Sequence, residues 1–207
     1  LTMFVVVMGV WGWGKSTIGG MLARELGCQF LEGDTLHPPA NIDKMSRSTP
    51  LNDNDRAPWL AEIHARIADA SRRGVSLVVA CSALKQAYRD TLERGVAITW
   101  VYLKGSRALL RSRLEQRSSH FMKADMLDSQ SEALEEPANA IVIDVAAAPE
   151  AIVGRIVRQL SLRVDVRVAA DVEALSEQAA AAAIDVINGA VAARGPCSLA
   201  LSGGGTP

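Results

Sequence analysis

The chain has 207 residues, 49% of them hydrophobic, and a formal net charge of −1. That length holds one good-sized domain plus a fragment, or two small domains, and the balanced charge gives no basic excess for a nucleic-acid partner. The apolar N-terminal run is too short to span a bilayer and lacks a preceding positive region, so neither a membrane nor a signal peptide is expected. Cys28, Cys81 and Cys197 are too few and too far apart for a disulfide framework or a metal site, which suits a reducing cytoplasm.

In chain order, Met3 to Met8 reads as a buried strand. It enters Gly9-Val10-Trp11-Gly12-Trp13-Gly14-Lys15-Ser16-Thr17, which has the spacing G-x-x-x-x-G-K-[ST]. A helix from Lys15 to Leu26 leads out and stops at Gly27. A loop that wraps a phosphate must aim several backbone N–H groups inward, and glycine permits the dihedrals this needs. The helix start adds free N–H groups and the positive end of its dipole. In this pattern Lys15 bridges the β- and γ-phosphates and Ser16 ligates Mg²⁺, with Gly9, Gly12, Trp13, Gly14 and Thr17 completing the nucleotide loop.

Cys28 to Leu31 is a short strand that delivers Glu32-Gly33-Asp34 to its end, followed by Leu36-His37-Pro38-Pro39. A carboxylate at Asp34 could orient an acceptor hydroxyl, take its proton, or hold Mg²⁺ through water; the plain alternative is a helix cap. His37 reads either as a polyol contact or as a turn-packing histidine. Asn41 to Met45 is a short helix, Pro50 to Pro58 a polar irregular stretch, and Trp59 to Arg73 a helix stopped by Gly74. Arg56 in the irregular stretch suits a carboxylate bidentately, or belongs to a solvated charge cluster.

Val75 to Ala80 is a continuous buried-strand run. A helix from Ser82 to Arg94 follows, in which Ser82 is an N-cap and Lys85 and Arg89, four apart, share a face toward a substrate cleft. Cys81 has no adjacent histidine to activate it and is not expected to be a nucleophile. Ala97 to Leu103 is a strand, and Ser106 to Arg117 a helix carrying Arg107, Arg111, Arg113 and Arg117. Arg113 and Arg117 lie on one helical face; beside a phosphate loop they read as a lid that stabilises the migrating group. Ser118 to Asp128 is a loop, Ser129 to Leu134 a helix, Ala140 to Val145 a strand, and Pro149 to Leu160 the closing helix. Alternating strands and helices predict an α/β fold of P-loop kinase type: a mostly parallel sheet flanked by helices, with its ligands outside the strands' carboxyl ends.

Several strings carry a closer resemblance: Glu-Gly-Asp-Thr-Leu-His-Pro from Glu32, Asn-Ile-Asp-Lys-Met from Asn41, Pro-Leu-Asn-Asp-Asn-Asp-Arg-Ala-Pro-Trp-Leu from Pro50, Cys-Ser-Ala-Leu-Lys from Cys81, Tyr-Arg-Asp from Tyr88, His-Phe-Met from His120 and Asp-Ser-Gln from Asp128. With them the chain from Val5 to about Leu160 resembles the P-loop gluconokinases. The resemblance implies ATP- and Mg²⁺-dependent phosphorylation of D-gluconate at its 6-hydroxyl by a cytoplasmic, commonly dimeric enzyme. It implies catalytic roles for Lys15, Asp34 and the lid residues Arg113 and Arg117. Asp34, His37, Arg56, Ser82, Lys85, Arg89 and His120 fall on the substrate side. Arg56, Lys85 and Arg89 suit an anionic acceptor in general, so a shikimate- or nucleotide-kinase-like enzyme and a non-catalytic ATP-binding module stand as alternatives. Trp11 and Trp13 replace serines usual in the family, from which weakened ATP binding is expected; Ser48, Ser119 and Ser131 are further departures.

The composition shifts after Leu160. A strand over Leu162 to Ala169, an alanine-rich helix over Asp171 to Ala193 and a strand over Ser198 to Leu201 enter Ser202-Gly203-Gly204-Gly205-Thr206-Pro207. Residues 1–162 are therefore expected to form the kinase-like domain. Residues 163–207 resemble the start of a 6-phosphogluconolactonase, an incomplete α/β fragment from which no lactonase activity is expected.

Overall fold

The structure, a computed structural model, describes residues 2–47, 49–106, 108–109 and 129–161, together with residues 176, 180, 181 and 184. The chain divides into two compact units, Leu1–Arg163 and Val164–Pro207. The described positions of the second unit, residues 176, 180, 181 and 184, are helical and exposed. The two tail strands and the lid helix beyond residue 109 lie outside the described residues.

In the first unit, β1 (Phe4–Met8), β2 (Gln29–Glu32), β3 (Leu77–Ala80), β4 (Thr99–Lys104) and β5 (Ala140–Asp144) form one sheet in the order β2-β3-β1-β4-β5, each neighbouring pair parallel. The central strands β1 and β3 are buried along their whole length. Covered on both faces, they read as unbroken apolar runs, with no alternation. Ala80 is in register with Val7 and with Glu32, and Met8 with Tyr102, so these strands end together on one edge.

The flanking helices are α1 (Lys15–Leu26), α2 (Pro39–Ser46), α3 (Asp53–Arg72), α4 (Gln86–Leu92) and α5 (Pro149–Ser161). α1 packs on β3 and α5, and α3 packs on α4. Trp59, Leu60, Ile63, Ile67 and Ala70 form the buried stripe of α3 as the periodicity requires. Two helix starts differ from expectation. α3 begins at Asp53, six residues before Trp59, because Asn52 and Asp55 form a reciprocal capping box, and Pro58 is carried inside the helix. α4 begins at Gln86, with Lys85 as its N-cap in place of Ser82. Ala83 adopts φ 42 and is fully buried, and such a left-handed residue keeps the segment before Gln86 from joining the helix.

Candidate active site

The phosphate loop crosses the carboxyl end of β1. Gly14 caps α1 in the left-handed region at φ 83, no side chain caps the helix, and the first intrahelical bond runs from the Ile18 N–H to the Gly14 carbonyl. The N–H groups of the first turn are left for a ligand. Ser16 and Thr17 are exposed on that turn. Lys15 is only 8% exposed, and its Nζ donates to the Val10 carbonyl at 3.2 Å. Burial pushes its pKa below the usual lysine range, partly opposed by the negative charge of Asp34. A buried ammonium whose hydrogen-bonded partner is a neutral carbonyl calls for an anion, so the loop fits a nucleotide phosphate and Ser16 fits an accompanying Mg²⁺. No cluster of three or more His, Cys, Asp or Glu that could hold a metal occurs among the described residues. Mg²⁺ needs none, since it binds through one or two protein oxygens plus phosphates.

The two tryptophans are placed differently. Trp13 is 8% exposed, and its ring packs beneath the loop, 6.0 Å from the ring of Tyr102 on β4. A Cβ on Gly9 would stand 3.0 Å from the Trp13 ring and 2.8 Å from the Leu103 carbonyl, so glycine is what lets loop, indole and β4 meet. The indole is therefore largely buried against Gly9, Gly105 and Tyr102. Its N–H is buried with no hydrogen-bond partner among the described residues. Trp11 is half-buried, and its backbone N–H donates to Gln130 Oε1 at 2.8 Å.

At the end of the neighbouring strand, β2 runs into a 3₁₀ turn, Gly33–Leu36. A Cβ on Gly33 would lie 2.5 Å from the Ala80 carbonyl, so only glycine lets this turn press against the end of β3. Asp34 is thereby exposed at the edge that carries Lys15, and its charge acts on both Lys15 and His37. Trp59 Nε1 donates to the Gly33 carbonyl at 2.7 Å, and its ring stacks on His37 at 4.2 Å and 13°. Buried Asn41 donates from Nδ2 to the Asp55 carbonyl at 2.8 Å and lies 3.2 Å from His37 Nδ1. Since that amide nitrogen is the donor, His37 Nδ1 accepts and its proton sits on Nε2. Burial lowers the His37 pKa, Asp34 raises it and Arg56 lowers it, and the net fall favours the neutral ring.

Arg56 and Lys85 line a cleft of ≈ 600 Å³ together with Asn52, Asp53, Asn54 and Ser129. Arg56 donates from Nη1 to the Leu51 carbonyl and lies over the Tyr88 ring, 5.8 Å from its centre. Lys85 is held by both oxygens of Asp53, at 2.8 and 2.9 Å, and Tyr88 Oη donates to Asp53 Oδ1.

Arg89 does not join them. It is 1% exposed, and its guanidinium donates to the Ala83 and Leu84 carbonyls and to Gln86 Oε1. A helix face shared with Lys85 is excluded because Lys85 precedes α4; Arg89 instead braces the Ser82–Lys85 segment from inside. Ser82 is half-buried, and its carbonyl accepts from the Gly9 N–H at 3.4 Å, tying that segment to the phosphate loop. Burial pushes the Cys81 thiol up to about 12, which makes it inert. Arg113, Arg117 and His120 lie outside the described residues. Sequence reasoning missed Asp53, Tyr88, Asn41, Gln130 and Glu135. Glu135 accepts from the Gln86 N–H and donates its own N–H to the Leu84 carbonyl. The Asp-Ser-Gln string was the available signal for Gln130. Asn41, Asp53 and Tyr88 also stand in quoted strings, but their partners Asp55, Lys85 and Asp53 lie 14 to 35 residues away.

Residues 4–137 match a family model described as an AAA domain. The chain is 49% identical over 136 residues to the gluconokinase of Gluconobacter oxydans, covering 65% of this chain and 76% of that protein. It is 44% identical over 154 residues to the thermoresistant gluconokinase of Escherichia coli, covering 72% and 87%. The chain belongs to the gluconokinase family. Among solved structures, a gluconokinase from Sinorhizobium meliloti superposes with a TM-score of 0.71 at 44% identity, covering 77% of this chain and 91% of that one. The family-model match over residues 4–137 takes in the phosphate loop, the Asp34 turn and the Arg56–Lys85 cleft alike, and the parallel five-stranded sheet is the fold of these kinases.

Proposed function

We propose that the chain transfers the γ-phosphoryl group of ATP to the 6-hydroxyl of D-gluconate, giving 6-phosphogluconate and ADP. The observation that carries the reading is the placement of Asp34, which acts electrostatically on Lys15 of the phosphate loop and on His37 of the acceptor side. Bound ATP with Mg²⁺ supplies the transferable group and neutralises part of its charge. Lys15 and the N–H groups of the first turn of α1 hold the phosphates, and the Ser16 hydroxyl holds the metal. Arg56 takes the acceptor carboxylate, and His37 Nε2–H donates to a hydroxyl along the chain. Asp34 orients the 6-hydroxyl and accepts its proton. Arg113 and Arg117 add positive charge on the transferring group, and Trp13 contributes its backbone N–H alone. Family membership and the charge balance support a cytoplasmic homodimer with no nucleic-acid partner. Among the described residues no helix is long and apolar enough to cross a membrane. The glycine loop from Ser202 to Pro207 supports reading residues 163–207 as lactonase-like.

A coupled assay for ADP release tests this reading. Release is expected with gluconate, not with shikimate, and is lost in Lys15→Ala and falls at least 100-fold in Asp34→Asn, the order of magnitude of general-base catalysis, ~10²–10⁴. Equal release with shikimate, or full activity in Asp34→Asn, would overturn it.

A further inference from the structure

Of the described residues lining the acceptor cleft, three carry charge: Arg56, Lys85 and Asp53. Two cations and one anion give these described residues a net charge of +1. The three are not equivalent. Asp53 closes on Lys85 with both oxygens and is itself held by the Tyr88 hydroxyl, so both of its oxygens face donors. Asp55, the other carboxylate nearby, is spent on Lys44 at 2.6 Å. Arg56 pairs with no carboxylate among the described residues and keeps four N–H donors beyond the one given to Leu51. The cleft thus offers one open guanidinium and one neutralised ammonium.

We propose that Asp53 is a specificity-determining residue: by occupying Lys85 it sets the cleft to accept a single carboxylate and to reject acceptors carrying two negative charges. This rests on the gluconate reading above. A monoanionic sugar acid places its carboxylate on Arg56, where a planar fork matches it bidentately. A second anionic group in the same cleft meets the Asp53 carboxylate, and cannot reach Lys85 without displacing it. The neutral Lys85–Asp53–Tyr88 group still serves hydroxyls, because Lys85 keeps a third N–H donor while Tyr88 Oη and Asp53 accept. Asp53 is 62% exposed, so solvent screens it and the discrimination it imposes is modest, up to about fivefold per charge.

The test compares D-glycerate with tartronate, which carries its two carboxylates on one carbon, as competitive inhibitors against D-gluconate, so that the added charge falls beside Arg56 and away from Asp34. In the wild-type enzyme the tartronate Ki is expected to exceed the glycerate Ki. In Asp53→Asn, Lys85 is released, and the ratio of tartronate Ki to glycerate Ki is expected to fall about fivefold. Lys85→Gln leaves Asp53 unneutralised, and the gluconate KM is expected to rise about fivefold. The double variant Asp53→Asn/Lys85→Gln returns the cleft to +1 and is expected to recover most of that loss while still discriminating against tartronate. The double variant also covers the case in which either single variant folds poorly. A ratio that stays put in Asp53→Asn, or a double variant no better than Lys85→Gln, would overturn the proposal while leaving gluconate phosphorylation intact. Absence of gluconate turnover in the wild-type enzyme would instead remove the reading beneath it.

Discussion

Replacing Trp13 by serine, the residue usual in the family, separates crowding of the nucleotide from packing of the core. Trp13 is 8% exposed, its ring lies against Tyr102 and Gly9, and its N–H is buried without a partner among the described residues. Truncating a buried tryptophan costs about 3–5 kcal/mol through lost contacts and the space left behind. Removing an orphaned donor returns about 1–3 kcal/mol. The net loss is about 2 kcal/mol, which for a chain of this size lowers Tm by roughly 4–8 °C. Because the ring is buried against Gly9, Gly105 and Tyr102, ATP affinity is expected to stay within about twofold on its removal. Differential scanning calorimetry and titration calorimetry with ATP read the two quantities on the same sample. An unchanged Tm together with ATP binding tightened tenfold or more would refute the reasoning and return the indole to the nucleotide site.

Gln130→Ala removes the acceptor of the Trp11 N–H and is expected to raise the KM for ATP about fivefold, the worth of one hydrogen bond of about 1 kcal/mol, with kcat less affected. Gln130→Glu keeps an acceptor oxygen and should restore much of the loss in the same steady-state assay. Arg89→Lys cannot reproduce a guanidinium fork that meets Ala83, Leu84 and Gln86 at once; a loss of about 1.5–3 kcal/mol lowers Tm by several degrees. If Arg89→Lys were as stable as wild type but lost gluconate affinity alone, Arg89 would belong to the substrate site after all. Cys81 titrates at about 12 when folded against an ordinary 9.0, so the folded state holds its proton longer than the unfolded one. Its contribution is therefore fully present below pH 9.0 and is lost as pH rises toward 12, with a slope of up to about 1.4 kcal/mol per pH unit. Urea midpoints between pH 8 and pH 10 should fall less steeply in Cys81→Ala than in wild type; identical slopes would contradict this.

Part of the site is local in the chain and was legible there. The run from Gly9 to Thr17 encodes a turn and a helix start within nine residues, and its function needs backbone N–H groups more than distant partners. Gly33-Asp34 was legible for the same reason, as a turn directly after a strand. Arg89 and Lys85 were misread as one helical face because spacing by four presumes a helix already begun at Ser82. A left-handed Ala83 leaves no mark in composition, although the guanidinium that donates to its carbonyl and to that of Leu84 belongs to Arg89, only five and six residues along the chain. The start of α3 was hidden by Pro58, a helix-breaking signal overruled by the Asn52–Asp55 capping box upstream.

The amino-acid sequence by itself determined the parallel α/β layout and the phosphate loop, because hydrophobic period and glycine spacing act over a few residues. It also supplied the cations of the acceptor side. Only the tertiary structure decided which of them is available: Arg89 is consumed by carbonyls, Lys85 by Asp53, and Arg56 stays open. It alone turned Trp13 inward, since that needs Gly9 and Tyr102 of two different strand ends to meet around one ring. Charge pairing and side-chain direction depend on neighbours distant in sequence, and the sheet brings those neighbours together at its carboxyl edge.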